Sequence, residues 1–269
     1  RIGNNTVNAV YVGGSGTTAI EFRYIVANGD MDLDGIGLPS NAIDLNGGSL
    51  VDSSGNVVSL EFSVPTTSGF KVDAIPPTNA PTVDALVADT TTPTITGTAT
   101  LENGETLAVT VSDATYSVTP NAQNVWSLDL STPPTPISGS LTTLVDGETY
   151  EVTATITDLA TNEISDTSTE ELVIDTSEPT VVGVTSTTPD GSYGVGQAVV
   201  INIQMSEDVT INTDLGSPTL TLDAGTANFT SAAGNILTFT YTSQEGDNST
   251  GLDVTSLNAN GEVIEDAAG

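Results

Sequence analysis

Apolar and polar residues alternate in Ala198-Val199-Val200-Ile201-Asn202-Ile203, and the same alternation recurs in Thr238-Phe239-Thr240-Tyr241. A period of two residues sends successive side chains to opposite faces of an extended strand, so that one face can be buried. Other short runs along the chain share this pattern, and no segment shows the pattern of a helix of useful length. The sequence therefore predicts an all-β fold.

The chain is strongly acidic. Its 269 residues include 35 Asp or Glu and three basic residues, Arg1, Arg23 and Lys71, which give a formal net charge of −32. The 37% of hydrophobic residues in alternating runs indicate a folded chain and not a disordered acidic tail. Because so large a charge repels itself in a compact molecule, we expect bound cations, and clustered carboxylate oxygens favour Ca²⁺. Three scattered basic residues make no phosphate-binding patch, which excludes nucleic acid as a partner.

Cysteine and histidine are both absent. The lack of disulfides in so acidic a chain favours a bacterial extracellular protein stabilised by metal. The commonest catalytic bases and nucleophiles are missing as well, and we see no insertion that would form a cleft, so we predict that the chain is not an enzyme. No run of eighteen apolar residues is present, which predicts that this segment has no membrane span.

The two ends of the chain are similar to each other. Residues 46–55 match residues 260–269 without a gap, and the strand at 19–24 matches the strand at 236–241. Because Asn56 follows Gly55 in the first copy, we expect the parent protein to continue with Asn after Gly269. The chain is thus expected to be a part of a longer protein.

The repeat and two proline-containing borders divide the chain into three predicted modules. These are the C-terminal part of one repeat at 1–77, a complete domain at 78–176, and a repeat without its last strand at 177–269. Short stiff borders predict that the modules form an extended rod. Neighbouring repeats would complete the terminal modules in cis, or other copies of the chain would do so in trans and build a fibre by strand exchange.

The middle module resembles a known family through several short segments. They are Pro93-Thr94-Ile95-Thr96-Gly97-Thr98-Ala99, Glu102-Asn103-Gly104-Glu105-Thr106-Leu107, Val125-Trp126-Ser127-Leu128, Leu144-Val145-Asp146-Gly147-Glu148-Thr149-Tyr150 and Thr157-Asp158-Leu159-Ala160-Thr161-Asn162. This set resembles the bacterial immunoglobulin-like domains of large repetitive surface adhesins, which usually have Gly where Thr161 stands. The resemblance implies tandem immunoglobulin-like β-sandwiches.

The outer modules resemble another immunoglobulin-like repeat of giant bacterial surface proteins. The resemblance is carried by Gly191-Ser192-Tyr193, Gly196-Gln197, Ser206-Glu207-Asp208-Val209 and Leu220-Thr221-Leu222. The hinge Ile174-Asp175-Thr176-Ser177-Glu178-Pro179 also matches the end of such repeats, and Val72-Asp73-Ala74-Ile75-Pro76 approximates it. The resemblance implies an extracellular location on a bacterial cell surface and a role in a stalk.

Two groups of polar residues are candidate Ca²⁺ ligands. The run Asp30-Met31-Asp32-Leu33-Asp34-Gly35 has alternate carboxylates before a glycine, a spacing that brings oxygens together in a tight turn. Asp247 and Asp253 are its weaker equivalents in the last module. A merely solvated acidic turn is the alternative.

The second group lies at the module borders. Asp175 and Glu178 are expected to share one ion with Asp158 and Asn162, and Asp73 is a weaker candidate at the first border. The alternative is that Asp175 caps a strand end and that Asp158 forms a turn through its own side chain.

Two aromatic residues have structural interpretations. The alternating apolar neighbours of Trp126 predict a core anchor, with a sugar-stacking platform as the alternative. Tyr150 is expected to lock a corner of the sandwich. The function predicted from the sequence is a stalk of an adhesin or extracellular filament that Ca²⁺ makes rigid. The alternatives are a module that recognises a glycan or host surface and a strand-exchanging fibre subunit.

Overall fold

The structure is a computed structural model that describes residues 1–211, 216–261 and 263–269. Within these ranges the chain forms strands, turns and irregular segments and no helix, which confirms the all-β prediction. Accordingly, the described residues include no helix with the length and apolar character needed to cross a membrane. We call residues 1–77, 78–176 and 177–269 the first, middle and third segments.

The middle segment has one continuous core beneath three small sheets. Its strands are β5 (Leu86–Ala88), β6 (Thr94–Thr98), β7 (Thr106–Val111), β8 (Ala114–Val118), β9 (Val125–Asp129), β10 (Ser138–Gly139), β11 (Thr149–Tyr150), β12 (Val152–Thr157), β13 (Glu163–Ser165) and β14 (Leu172–Ile174). The core is surrounded by a five-stranded sheet in the order β10-β8-β7-β12-β13, a three-stranded sheet in the order β11-β14-β5 and the pair β6-β9. Their burial alternates, as the period-two pattern requires: Leu107, Val109 and Val111 of β7 are buried while Ala108 and Thr110 are partly exposed.

Trp126 anchors this core. Its side chain is completely buried, and the indole Nε1 donates a hydrogen bond to the carbonyl oxygen of Thr82 at 3.0 Å. Gly97 lies opposite Trp126 in the β6–β9 pair, and a Cβ atom added to it would approach the indole ring to 2.6 Å. The core-anchor prediction is confirmed, and a buried indole cannot stack on a sugar.

Tyr150 fixes a corner of the middle segment. Its hydroxyl oxygen accepts a hydrogen bond from the backbone N–H of Val145 at 2.9 Å, across the turn at Asp146 and Gly147. This contact confirms the predicted corner lock.

The third segment is built on a six-stranded sheet in the order β15-β16-β20-β19-β18-β21, with the pair β17-β22 beside it. Its core includes Ile203, Leu220, Leu237 and Phe239, each almost fully buried. The strands are β15 (Val181–Ser186), β16 (Ala198–Met205), β17 (Thr210–Ile211), β18 (Thr219–Leu222), β19 (Gly225–Ala233), β20 (Ile236–Thr242), β21 (Val254–Asn258) and β22 (Ile264–Glu265).

The first segment has two isolated strand pairs instead of a sheet. β1 (Val10–Gly13) pairs with β2 (Glu21–Arg23), and β3 (Met31–Asp32) pairs with β4 (Val72–Asp73). Only Ile2, Asp32 and Pro77 are buried in this segment. Its apolar residues therefore lack the cover that those of the other two segments have.

The first and third segments make the same local contacts. β1 and β2 are antiparallel with Tyr11 opposite Phe22, and β19 and β20 are antiparallel with Phe229 opposite Phe239. Both aromatic pairs are edge-to-face, with ring centroids 6.1 Å apart in the first and 5.7 Å in the third. The register shifts by one residue directly after Tyr11 and again after Phe229. The internal repeat read from the sequence is therefore also a repeat of structure.

Candidate metal centre

Three carboxylates meet where the middle segment joins the third. Asp175 follows β14, Glu207 follows β16 and Asp266 follows β22, so three distant parts of the chain supply one side chain each. One oxygen from each residue lies within 4.8 Å of the other two, and all three residues are partly buried. We call these residues the acidic triad. Oxygen atoms at this spacing can enclose a hard divalent cation.

Backbone contacts hold two members of the acidic triad, Asp175 and Asp266, in place. The N–H of Asp175 donates to the carbonyl oxygen of Ala88 at 2.9 Å, which extends the parallel β5–β14 pair by one hydrogen bond. Oδ1 of Asp266 accepts hydrogen bonds from the N–H groups of Ala268 at 2.7 Å and Gly269 at 3.0 Å. Among the described residues no hydrogen bond reaches Oδ2 of Asp266, Oδ2 of Asp175 or Oε2 of Glu207. Each carboxylate therefore has an oxygen left for a ligand.

Asp146 fixes the hinge beside the triad. Its carboxylate accepts hydrogen bonds from the backbone N–H of Thr176 at 2.6 Å and from the hydroxyl of Ser177 at 3.1 Å. These contacts, the N–H of Thr176 first, lower the pKa of Asp146 below its usual value. Since Asp146 stabilises the hinge only while it is ionised, the hinge holds its conformation at neutral pH.

Glu178 lies in a surface cleft that adjoins the triad. Hinge residues 176–179 form one side of the cleft, and residues 263–266 with Gly269 form the other, around a volume of about 340 Å³. Glu178 and Asp266 thus line the same cleft. The structure places two of the predicted ligands, Asp175 and Glu178, at this boundary.

The other two residues expected at that ion lie elsewhere. β14 is antiparallel to β11, which leads directly into β12, so Asp158 after β12 and Asp175 after β14 lie at opposite ends of the middle segment. At the rise of a β-strand, the stretch from Thr149 to Thr157 spans about 26 Å. One ion cannot be shared over this distance, and the expected four-residue site is wrong in that respect. The separation of Asp158 from Asp175 is not visible in the sequence, because antiparallel neighbouring strands end at opposite ends of a sheet.

Asp158 and Asn162 lie instead at the boundary with the first segment. The amide of Asn162 donates from Nδ2 to the carbonyl oxygens of Asp73 at 3.1 Å and Ile75 at 3.4 Å, and to Oδ2 of Asp158 at 2.8 Å. Oδ1 of Asp158 accepts from the N–H groups of Ala160 at 2.8 Å and Asn162 at 2.9 Å. This is the side-chain turn that the sequence offered as the alternative.

The Asn162 side chain is the main reason that the pKa of Asp158 is lowered. Thr161, inside this turn, has a φ of +68°, where the resembling family usually has glycine. Asp73 accepts from the N–H of Ile75 at 3.2 Å. The first boundary is therefore joined by hydrogen bonds from an amide and not by a cluster of carboxylates.

The three carboxylates of the Asp30–Asp34 run do not all meet: the Asp32 side chain lies close enough to Asp34 for their carboxyl groups to interact, whereas Asp30 makes its contacts elsewhere. Oδ2 of Asp30 accepts from the Tyr24 hydroxyl at 2.7 Å and from the N–H of Ala27 at 2.8 Å. Asp32 is buried, and its two oxygens accept from the N–H groups of Gly3 at 2.7 Å and Gly35 at 2.8 Å. Asp34 is exposed.

The pKa values of Asp30 and Asp32 are lowered, by the Tyr24 hydroxyl and the Gly3 N–H respectively. Both carboxylates thus stabilise the turn themselves. A metal role for the Asp30, Asp32 and Asp34 set stays a prediction that this geometry does not favour.

The equivalent residues of the third segment behave in the same way. Asp247 accepts from the Tyr241 hydroxyl and, at 2.7 Å, from the N–H of Gln244, as Asp30 does from Tyr24 and Ala27. The hydrogen bond to Asp247 raises the pKa of Tyr241 to about 12. The N–H of Asp253 donates to Oδ1 of Asp223 at 3.0 Å. The tyrosine–aspartate pair is a shared structural feature of both copies.

Sequence reasoning predicted the acidic triad only in part. Glu207 is one of the weaker candidate ligands, like Asp73, and Asp266 is noticed only as the counterpart of Asp52 in the ungapped repeat. Asp52 forms a turn with the N–H groups of Ser54 and Asn56, and Asp266 forms the same kind of turn with Ala268 and Gly269. No spacing in the sequence indicates that Glu207 and Asp266 meet Asp175.

No protein-family model matches this chain, and no curated protein shows significant similarity to it.

Proposed function

We propose that this chain is a stalk segment of a bacterial cell-surface adhesin or extracellular filament, built from tandem immunoglobulin-like sandwiches and made rigid by Ca²⁺. The observation that carries the proposal is the acidic triad. Asp175 belongs to the middle segment, whereas Glu207 and Asp266 belong to the third, so a cation bound there would join two successive segments.

Electrostatics supports a cation at this place. Two unit charges 4.8 Å apart repel each other by about 0.9 kcal/mol at the dielectric constant of water, and by more when partly buried. The triad contains three such pairs, and all three basic residues of the chain lie within residues 1–77. A divalent cation would replace this repulsion with attraction and would reduce the freedom of the hinge.

The first boundary supports the same mechanical role by other means. The Asn162 amide of the middle segment binds two carbonyl oxygens of the residues 73–75 stretch. At the first boundary the Asn162 amide makes hydrogen bonds that oppose bending, and at the second boundary a cation bound by the acidic triad would do the same. A chain whose work is to span distance requires this kind of restraint at each hinge.

Small-angle scattering of the whole chain tests the proposal. We expect the spread of the radius of gyration to widen and its mean to change when Ca²⁺ is removed by a chelator, because the third segment then moves about the 175–179 hinge. Mg²⁺ at equal concentration serves as a control, since it prefers a smaller octahedral site that keeps its waters. A radius of gyration that is the same with Ca²⁺ and with chelator would refute the calcium role.

A further inference from the structure

The outer edge of β2 in the first segment is unpaired and apolar. β2 contacts only β1, and no backbone hydrogen bond reaches the other edge of Glu21–Arg23 from any residue that the structure describes. Phe22 is 43% exposed and Ile20 39% exposed. An open edge with apolar side chains beside it readily accepts another strand.

The third segment shows what covers this edge when the module is complete. Phe239 and Leu237 of β20, the counterparts of Phe22 and Ile20, are both 0% exposed. β20 pairs with β19 on one side, as β2 pairs with β1, and with β16 on the other. The strand that the first segment lacks is therefore one that resembles β16.

We propose that the first segment has a strand-acceptor site along the outer edge of β2 that binds an extended apolar segment of the β16 type in antiparallel orientation. The residue pairing between this ligand strand and β2 follows if the strand lies against β2 in the register that β16 has against β20. The ligand residue equivalent to Ile201 lies opposite Phe22, and the one equivalent to Val200 lies opposite Arg23. Main-chain hydrogen bonds supply affinity, and alternate side chains supply specificity.

The chemistry of β16 fits this edge. Ala198–Met205 contains no charged residue, and its buried positions Ile201, Ile203 and Met205 alternate with less buried ones. A chain with a net charge of −32 repels acidic partners, whereas an uncharged strand meets no such barrier. Arg23 and Glu21 of β2 form an ion pair, with Nη2 and Oε1 3.4 Å apart, so β2 itself carries no net charge. The acceptor site does not depend on Ca²⁺ at the distant triad.

A peptide of residues 196–206, fused to a soluble carrier, serves as the ligand in a binding assay with the whole chain. We expect saturable binding that Phe22→Asp weakens at least tenfold, while Leu159→Asp leaves it unchanged because Leu159 is 84% exposed in a loop of the middle segment. A peptide with Ile201→Asp should bind at least tenfold more weakly to the unaltered chain. This second change keeps the test valid if Phe22→Asp disturbs the first segment.

Register is tested with single cysteines, because the chain has none of its own. Directly opposite residues of antiparallel strands have Cα atoms about 4.5–5.5 Å apart, within reach of a disulfide. An Arg23→Cys chain should therefore cross-link to a peptide with Val200→Cys and not to one with Gln204→Cys. Equal cross-linking to both peptides, or no binding of the unaltered peptide, would overturn the proposal. Cross-linking of two Arg23→Cys chains to each other in the presence of excess Val200→Cys peptide would also overturn it, because a second β2 would then be the occupant.

Discussion

Replacement of Asp266 by Asn should stabilise the chain in chelator and lose most of that effect when Ca²⁺ is added. The Asn side chain keeps an Oδ1 that can accept from the N–H groups of Ala268 and Gly269, so the turn is preserved. The substitution removes two of the three repulsive pairs of the triad, which amounts to about 1.7 kcal/mol at the dielectric constant of water. In chelator the variant should therefore be more stable than the parent.

With Ca²⁺ most of this advantage should be lost. Extracellular calcium modules bind with dissociation constants of about 0.1–1 mM, so 10 mM Ca²⁺ stabilises a site at the tight end of that range by about 2.7 kcal/mol. Loss of one of three carboxylate ligands should weaken binding at least about tenfold, which removes about 1.4 kcal/mol of this stabilisation. The triad thus predicts that the stability advantage of Asp266→Asn falls from about 1.7 kcal/mol in chelator to about 0.3 kcal/mol in 10 mM Ca²⁺.

Hydrogen–deuterium exchange of β20 amides (Ile236–Thr242) measures this effect in the third segment alone. Exchange that requires unfolding of the segment should slow about 100-fold in the parent between chelator and 10 mM Ca²⁺. In chelator it should be about tenfold slower in Asp266→Asn than in the parent. Asp190→Asn, which removes an exposed charge from the same segment, is the matched control and should show the full response to Ca²⁺. An unchanged response in Asp266→Asn would refute the assignment of the triad as a calcium site.

Three further outcomes test the structure. Gly97→Ala should destabilise the middle segment by about 3 kcal/mol, because the new Cβ would lie 2.6 Å from the Trp126 ring and 2.0 Å from the Thr82 carbonyl oxygen. Trp126 fluorescence during urea unfolding measures this loss of stability, and an unchanged unfolding midpoint would contradict the packing. Thr161→Gly should stabilise the same segment by about 1 kcal/mol, because φ is +68° there, and a lower midpoint by the same assay would contradict this. The pKa values of Asp30, Asp146 and Asp158 are lower in the folded chain than their usual value of 3.8. Their stabilising contribution is therefore complete above about pH 4 and is lost as the pH falls through the folded pKa values. Urea unfolding at pH 7, 5, 3 and 2 should show a loss of stability only at pH 3 and 2, and a loss already at pH 5 would assign the acid sensitivity to other groups.

Residues whose role depends on near neighbours were predictable from the sequence. The alternation around Trp126 indicated a buried strand position because burial in a strand repeats every second residue. Tyr150 and Asp158 act on residues four or five positions away, so their corner and turn could be inferred from local spacing. The internal repeat was visible for the same reason, since equivalent strands keep equivalent residues such as Tyr24 and Tyr241.

The candidate metal ligands were predicted less well. Alternate carboxylates at Asp30 and Asp32 have the spacing of a calcium loop, but backbone N–H groups nearby use their oxygens first. Sequence spacing shows where oxygens lie along the chain and not which donors compete for them. A shared ion at Asp175 and Glu178 stays a prediction, since Asp175 belongs to the triad and Glu178 lines the adjoining cleft, and the prediction was wrong in adding Asp158 and Asn162.

The order of residues alone indicated that this chain forms strands and that its two ends copy one another. These properties follow from side-chain chemistry and from a period of two, which any stretch of the chain reveals by itself. Tertiary structure alone brought Asp175, Glu207 and Asp266 together, and it alone left the β2 edge open while β16 covers its counterpart. The physical reason is that the triad and the open edge depend on which strands become neighbours and at which end of the sheet each strand stops. Strand order and direction are set by the packing of the whole core.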